Sequence, residues 1–377
     1  MRVLVATPCY PRFEGDYNGG FVRDLCVRLA RLGVDLSVLA PRSRTISAFS
    51  SRFPVHRFPY LPSQRLELLP EATMKGAPPW RLAQLPAYLA SAYLHIRAGQ
   101  VDLLHCHLAI PIGFVASLPP RKGPLVVTCH GSDCTLPFES PFFLPFTRHA
   151  LFHAERVVAV SRYVEGLALR LGARRVETIH LGIDTVKFSP STKKRVFREA
   201  AGIPEETIVV GTLGRLVPEK RIIDIIRAAK MVAAGIDITL VIGGDGPERK
   251  TLMRLANNSG VSTLFTGTIR DAPSFHELLD VFVLASDREG LSLSLQEAMA
   301  TGAVPVATRG FGNDELVDHQ VNGYTFDPGN IQQLADRIML AAQNQQLGAK
   351  ARETITKSFN ADEGATRYLE LYRKLTG

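Results

Sequence analysis

The sequence predicts an α/β protein made of two successive doubly wound units, each a parallel sheet with helices on both faces. Its 377 residues exceed what one core normally serves. Short apolar runs alternate with amphipathic stretches along the chain, the pattern of repeated βα units. The alternation breaks at the polar stretch Ser189–Lys194, the expected linker, and then resumes. The expected division is 1–188 and 189–360, with a final helix over 361–377 packing back on the first unit.

In the first unit, Arg2–Ala6 reads as a strand and Phe21–Leu32 as a helix, because Phe21, Leu25, Leu29 and Leu32 share one helical face. Val34–Ala40, Val55–Phe58, Val101–His105, Leu125–Cys129, Arg156–Val160 and Glu177–His180 continue the strand series. The second unit has expected strands at Thr207–Leu213, Ile238–Gly243, Leu264–Gly267, Val281–Ala285 and Val304–Ala307. Helices are expected at Arg221–Ala234, Arg249–Asn257, Phe275–Leu279, Leu293–Ala300 and Ala361–Leu375. Ligands of such sheets bind outside the carboxyl ends of the strands, so functional residues should follow strands.

Composition bounds the function. The longest apolar stretches, such as Ile222–Ala234, are too short or too interrupted to cross a bilayer. The N-terminus enters a strand-like segment directly and does not read as a signal peptide, so a cytoplasmic location is expected. Cys9, Cys26, Cys106, Cys129 and Cys134 fit no disulfide framework and form no CxxC pair. His105, Cys106 and His107 cannot converge on one ion from a strand, since alternate residues face opposite ways. Neither a metal nor a cofactor is expected. Residues 1–190 carry 22 Lys/Arg against 13 Asp/Glu, and the remainder 22 against 23. This basic surplus suits an anionic partner, but it accompanies no nucleic-acid reading motif.

Two constellations carry the chemistry. In Gly211-Thr-Leu-Gly-Arg215-Leu-Val-Pro-Glu-Lys220, between a strand and a helix, glycine permits close backbone approach and the helix start offers free N–H groups. Arg215 and Lys220 add a guanidinium fork and a point charge, the pair expected for a diphosphate. They would neutralise it on binding and stabilise it as a leaving group without a metal. The second is Ser286-Asp-Arg-Glu289 through Glu297-Ala-Met-Ala-Thr-Gly. Its two carboxylates could hold vicinal hydroxyls of a sugar and a ribose, or act as an acid/base pair, or lie idle on a loop and a helix surface.

These segments, with Gly243-Gly-Asp245-Gly-Pro-Glu248, Phe265-Thr-Gly-Thr268 and Pro305-Val-Ala-Thr308, resemble the group 1 (GT4-type) retaining glycosyltransferases of GT-B fold, in order and spacing. In the first half Gly19-Gly20, Asp102-x-x-His105-x-His107, His130-Gly-Ser-Asp133 and Val160-Ser161 look like the same family. The resemblance implies two Rossmann-like domains facing across a cleft that closes on a nucleotide-diphosphate sugar. It implies Arg215, Lys220 and Gly20 at the donor diphosphate, Glu297 at the ribose, and Glu289 at the donor sugar. It places His130 near the reacting centre and Phe265, Thr266 and Thr268 beside the nucleobase. Transfer would retain configuration without metal, by a front-face route in which the leaving phosphate helps deprotonate the acceptor.

UDP-sugar is the expected donor, with GDP-sugar next, and the expected acceptor is a glycan or a lipid-linked sugar in cell-surface polysaccharide or glycolipid biosynthesis. Tyr10, Arg12, Asp16 and Asp133 are expected on the acceptor side, with Phe13 and Tyr17 on the same loop. His180-Leu-Gly182-Ile-Asp184 departs from the family's pattern by lacking an asparagine, and Arg309 and Phe311 are expected to reshape the sugar pocket. Peripheral contact with an anionic membrane, on its cytoplasmic face, is expected from a basic and aromatic mixture between Pro41 and Arg97. It comprises Arg42, Arg44, Arg52, Arg57, Arg65, Lys75, Arg81 and Arg97 with Phe49, Phe53, Phe58, Tyr60, Trp80, Tyr88 and Tyr93. The alternative is a soluble insertion whose aromatics are core. A nucleotide-sugar epimerase is the alternative activity. A dinucleotide-dependent dehydrogenase would want Gly-x-Gly-x-x-Gly where Ala6-Thr-Pro-Cys-Tyr-Pro stands.

Overall fold

A computed structural model of the chain describes residues 1–43, 46, 51–60, 83–121 and 123–377. The chain divides into two compact units, one of residues 1–181 with 362–377 and the other of residues 182–361.

Among the described residues the first unit holds seven parallel strands in the order β3-β2-β1-β4-β5-β6-β7. They are β1 (Arg2–Ala6), β2 (Asp35–Pro41), β3 (Val55–Phe58), β4 (Leu103–His107), β5 (Leu125–Cys129), β6 (Arg156–Ala159) and β7 (Val176–Thr178). β4 and β5 are buried at every position, as expected of central strands covered on both faces. One face is closed by the helix Gly20–Arg31, through Val22, Leu25, Cys26 and Leu29, and by Ala365, Tyr368, Leu369, Leu371 and Tyr372 of the C-terminal helix Ala361–Thr376. Each such aliphatic or aromatic side chain contributes about 1.5–3 kcal/mol on burial. Leu32, expected on the buried face of the first helix, lies just past its end and is exposed.

The second unit holds six parallel strands in the order β10-β9-β8-β11-β12-β13. They are β8 (Ile208–Leu213), β9 (Ile238–Gly243), β10 (Ser262–Gly267), β11 (Val281–Leu284), β12 (Val304–Thr308) and β13 (Tyr324–Phe326). Helices Ile222–Val232, Arg249–Ser259 and Ile331–Gln343 close one face, and Ala272–Glu277, Leu293–Ala300 and Leu347–Ser358 the other. β13 is three residues long and went unread in the sequence, too short to show alternation. In both sheets the strand order reverses beside the first strand, at β1/β4 and β8/β11, which is where such sheets open a crevice.

Of the described aromatics expected at a membrane surface, four are core and Tyr93 is half-buried, its hydroxyl donating to Pro119 O. Phe53, Phe58, Tyr60 and Tyr88 are buried, and Phe58, Tyr60 and Tyr88 pack as a ring cluster with centroids 5.1–6.4 Å apart. Arg57 spends its guanidinium on the carbonyls of Tyr10 and Pro11, and Arg97 on those of Ala116 and Leu118. Arg44, Phe49, Arg65, Lys75, Trp80 and Arg81 lie outside the described residues.

Candidate functional site

In the second unit the loops after β8, β9 and β11 are held together by backbone contacts. Gly214 N donates to Gly243 O at 3.1 Å, Leu216 N to Asp245 O at 2.9 Å, and Asp287 N to Glu219 O at 2.9 Å. Gly244 shows why the sequence needs glycine there. Its φ is +113°, and a Cβ would sit 1.8 Å from Gly214 O.

These loops carry the charged residues. Lys220 Nζ meets Glu289 Oε1 at 2.5 Å, joining the β8 loop to the β11 loop. The Lys220 side chain passes over Gly214, next to Arg215. Arg215 is half-buried, and its guanidinium has no hydrogen-bond or ion-pair partner among the described residues. A partly desolvated cation without a counter-ion favours an anion supplied from outside. Glu297, in the helix capped by Ser292, accepts from His276 Nε2 at 3.1 Å, which orients the carboxylate. Its second oxygen makes no hydrogen bond to the described residues and is left for a hydroxyl.

The nucleobase-side residues divide. The ring of Phe265 packs against the core, Thr266 Oγ1 bonds to Ile242 O, and Thr268 is exposed past the end of β10. Arg309 pairs with Asp327 at 3.0 Å, a commitment its sequence context did not show.

In the first unit, His130 follows β5 and stands against the start of the first helix, its ring 4.7 Å from that of Phe21. Gly20 and His130 are therefore neighbours, although 110 residues apart. Gly20 N donates to Tyr17 O, and a Cβ at Gly20 would meet nothing within 4 Å, so the helix start is open. Gly19, at φ +72°, approaches Cys9 so closely that a Cβ would sit 2.5 Å from its carbonyl oxygen.

Behind His130 runs a buried polar chain. His107 Nδ1 lies 2.9 Å from His130 Nε2, His105 Nε2 2.8 Å from Thr128 Oγ1, and His105 Nδ1 2.6 Å from the Tyr372 hydroxyl. Tyr368 OH meets Thr128 Oγ1 at 3.0 Å. Burial pulls all three imidazoles down, His105 and His130 to about 3, so all are neutral. His107 Nε2 is buried without a partner. Were His130 the donor in the pair, His107 would carry its proton on that orphaned nitrogen, a buried unpaired N–H. Donation from His107 Nδ1–H leaves only a lone pair there, the cheaper orphan. His130 then carries its proton on Nδ1, the nitrogen it can present to a ligand. Tyr368 and Tyr372 were missed in the sequence, although tyrosines spaced i, i+4 on an amphipathic helix mark two hydroxyls on one buried face.

The acceptor-side candidates are mostly structural. Tyr10 is 2% exposed, a core ring beneath Arg57, and offers no face to a ligand. Asp133 is buried, and its carboxylate accepts from the N–H groups of Ala109, His130 and Gly131, so it fixes the turn that carries His130. Arg12 and Asp16 pair at 2.7 Å and buckle the loop after β1. Burial raises the Asp16 carboxyl, but the Arg12 guanidinium and the N–H groups of Arg12 and Asn18 outweigh it and hold it below its usual range. Phe13 and Tyr17 of the same loop are exposed. Cys129, Asp133 and Cys134 bring potential metal-ligand atoms within 4.8 Å, but the three backbone donors already engage the carboxylate.

Residues 193–358 match the family model of glycosyl transferases group 1, and residues 19–187 that of glycosyltransferase family 4. The chain is 31% identical to the GDP-mannose-dependent alpha-(1-6)-phosphatidylinositol monomannoside mannosyltransferase of Mycobacterium tuberculosis, over 99% of this chain and 98% of that one. It is 27% identical to the N-acetyl-alpha-D-glucosaminyl L-malate synthase of Bacillus anthracis, over 99% and 97%. Among solved structures it resembles sucrose-phosphate synthase of Thermosynechococcus elongatus (TM-score 0.81, 20% identity, covering 100% of this chain and 99% of that one). It also resembles Anabaena HepE with UDP-glucose (TM-score 0.80, 22% identity, both chains fully covered). Full-length identity and matches on both halves agree with the two parallel sheets: the chain belongs to the group 1 (GT4-type) glycosyltransferases, has the GT-B fold and acts on a nucleotide sugar.

Proposed function

We propose that the chain is a retaining, metal-independent glycosyltransferase whose second unit binds the donor and whose first unit carries the acceptor side. The observation that carries this is the half-buried, uncommitted Arg215 beside a Lys220–Glu289 pair. Donor diphosphate meets Arg215 and Lys220, the Glu289 carboxylate released from Lys220 turns to the sugar, and the free oxygen of Glu297 accepts from ribose. The two cations then stabilise the departing diphosphate. His130, neutral and protonated on Nδ1, donates to the donor sugar. Gly20 opens the first helix start to phosphate, and Phe265, Thr266 and Thr268 border the base through their backbone.

UDP-sugar is the favoured donor and GDP-sugar the next, the latter strengthened by the name of the mycobacterial relative. The acceptor is a glycan or lipid-linked sugar in cell-surface polysaccharide or glycolipid synthesis, reached from the cytoplasmic face with the basic first unit touching the anionic membrane. The relatives above are a synthase and a transferase, and the epimerase alternative gains nothing from them. The test is incubation with UDP- and GDP-sugars plus candidate acceptors in excess EDTA, read by nucleoside diphosphate release and proton NMR of the product's anomeric centre. Release in EDTA with the donor's configuration kept is expected. Dependence on added metal, inversion, or conversion of donor to its epimer would overturn the reading.

A further inference from the structure

Phe53, Phe58, Tyr60 and Tyr88, first expected at a membrane, are core, yet the first unit carries another apolar and basic surface. It is built by the helices Ser132–Glu139, Leu144–His153 and Arg162–Arg170, the short helical turn Pro141–Phe143 between the first two, and the turn that follows the third. Phe138, Phe142, Phe152 and Leu169 are 45%, 64%, 42% and 53% exposed. The chain leaves these rings uncovered where it buries most others. Residues 132–175 also carry six arginines, of which Arg148, Arg162, Arg170, Arg174 and Arg175 are exposed. Two of them lie over the exposed rings, Arg174 3.7 Å from the centroid of Phe152 and Arg170 4.8 Å from that of Phe138. Between the second and third helices a cavity of about 410 Å³ is lined by Pro145, Arg148, His149, Phe152, His153 and Arg170, with no carboxylate in its wall. The carboxylates of the stretch are otherwise placed. Asp133 is buried, Glu155 pairs with Arg121, Glu165 accepts from Thr178, and Glu139 at the end of the first helix is engaged as well.

We propose that this face docks the protein on an anionic bilayer, with Phe142 and Phe152 entering the headgroup boundary and Arg148, Arg170 and Arg174 binding lipid phosphates. Charge complementarity selects this occupant. A protein partner or second copy meeting the same area would have to cover Arg148, Arg170 and Arg174, which ion-pair with no carboxylate among the described residues, whereas a lipid surface supplies phosphates at the depth where exposed rings and guanidinium groups both settle. The rings give the apolar half of the attachment, and the stacked guanidinium groups keep their charge at the rim. The inference rests on the membrane contact proposed above and gives it an address.

The test is co-sedimentation with vesicles of phosphatidylcholine alone or mixed with phosphatidylglycerol, using the full chain, a Phe142→Ser/Phe152→Ser double variant and an Arg148→Ser/Arg170→Ser/Arg174→Ser triple variant. All substituted side chains are exposed, and circular dichroism matching wild type is the control that the variants fold. Wild type should bind the anionic vesicles and scarcely the neutral ones. The triple variant should partition about a hundredfold more weakly, and the double variant should fail to bind. All three should release diphosphate equally from donor with a soluble acceptor. Wild type that turns over but ignores anionic vesicles overturns this inference and leaves the transferase reading standing. Binding that survives both variants, is abolished by inorganic phosphate at constant ionic strength, or gives way to dimers dependent on Phe142 and Phe152 also overturns it. No turnover by a wild type that binds vesicles would overturn the transferase reading alone.

Discussion

In the C-terminal unit the residues of interest are charged, partly exposed and sparsely committed: Arg215 has no partner among the described residues, Lys220 has one, and Glu297 keeps an oxygen free. In the N-terminal unit they are neutral, enclosed and committed, from His130 through His107 and, beside it, from His105 to Tyr372. The same architecture thus supports two kinds of site. One is short of an anion and suits the part of a substrate that carries formal charge. The other is a preset hydrogen-bonding surface, suited to orienting hydroxyls without competing for charge.

The sharpest way to break the comparison is to remove charge from the first kind. Lys220→Met should lower kcat/KM by roughly a hundred- to thousandfold, measured by steady-state diphosphate release, while leaving the melting temperature near wild type. If activity survives, the cations are not the diphosphate site. Gly244→Ala attacks the frame instead. With a Cβ 1.8 Å from Gly214 O, it should cost about 3 kcal/mol or more, read by denaturant unfolding.

On the neutral side, His107→Leu should reduce kcat about tenfold by leaving His130 Nε2 without its donor. His107→Asn, whose amide can replace the Nδ1–H, should recover most of it, and His107→Gln should not. Nitrogen NMR of His130 should report the Nδ1–H tautomer in wild type. The pH dependence has a definite sign. His105 and His130 are held near 3 against an ordinary 6.5, so the unfolded chain binds more protons between those values. Their contribution to stability is complete above about 6.5 and is lost as pH falls towards 3, so the melting temperature should drop progressively below neutrality. Tyr372→Phe is the mildest probe, expected to cost about 1 kcal/mol through the unpaired His105 Nδ1.

How legible each part was follows from the range of the signal. β1, β5 and β9 were read end to end, because strands buried on both faces write themselves as local apolar runs, and the edge strand β3 was read end to end from its flanking turn residues. The strand–loop–helix position of Arg215, Lys220, Glu289 and Glu297 was equally local. What the sequence hid was tertiary. Tyr10 looks like a loop residue until Arg57, 47 positions on, covers it, and Asp133 looks like a free carboxylate until three backbone donors surround it. Tyr372 lies 267 residues from His105, and no spacing rule joins them. The surface around Phe142 and Phe152 was missed because its rings come from separate elements that only the tertiary fold brings to one face.

The central claim is that Arg215 stands ready for the donor diphosphate. Calorimetric titration of wild type and Arg215→Met with UDP, GDP and the corresponding monophosphates tests it most directly. The expected result is binding of one diphosphate in the absence of metal, weakened at least tenfold by the substitution, with the monophosphate binding weakly and indifferent to it. Equal affinity of wild type and Arg215→Met for the diphosphate would contradict the account.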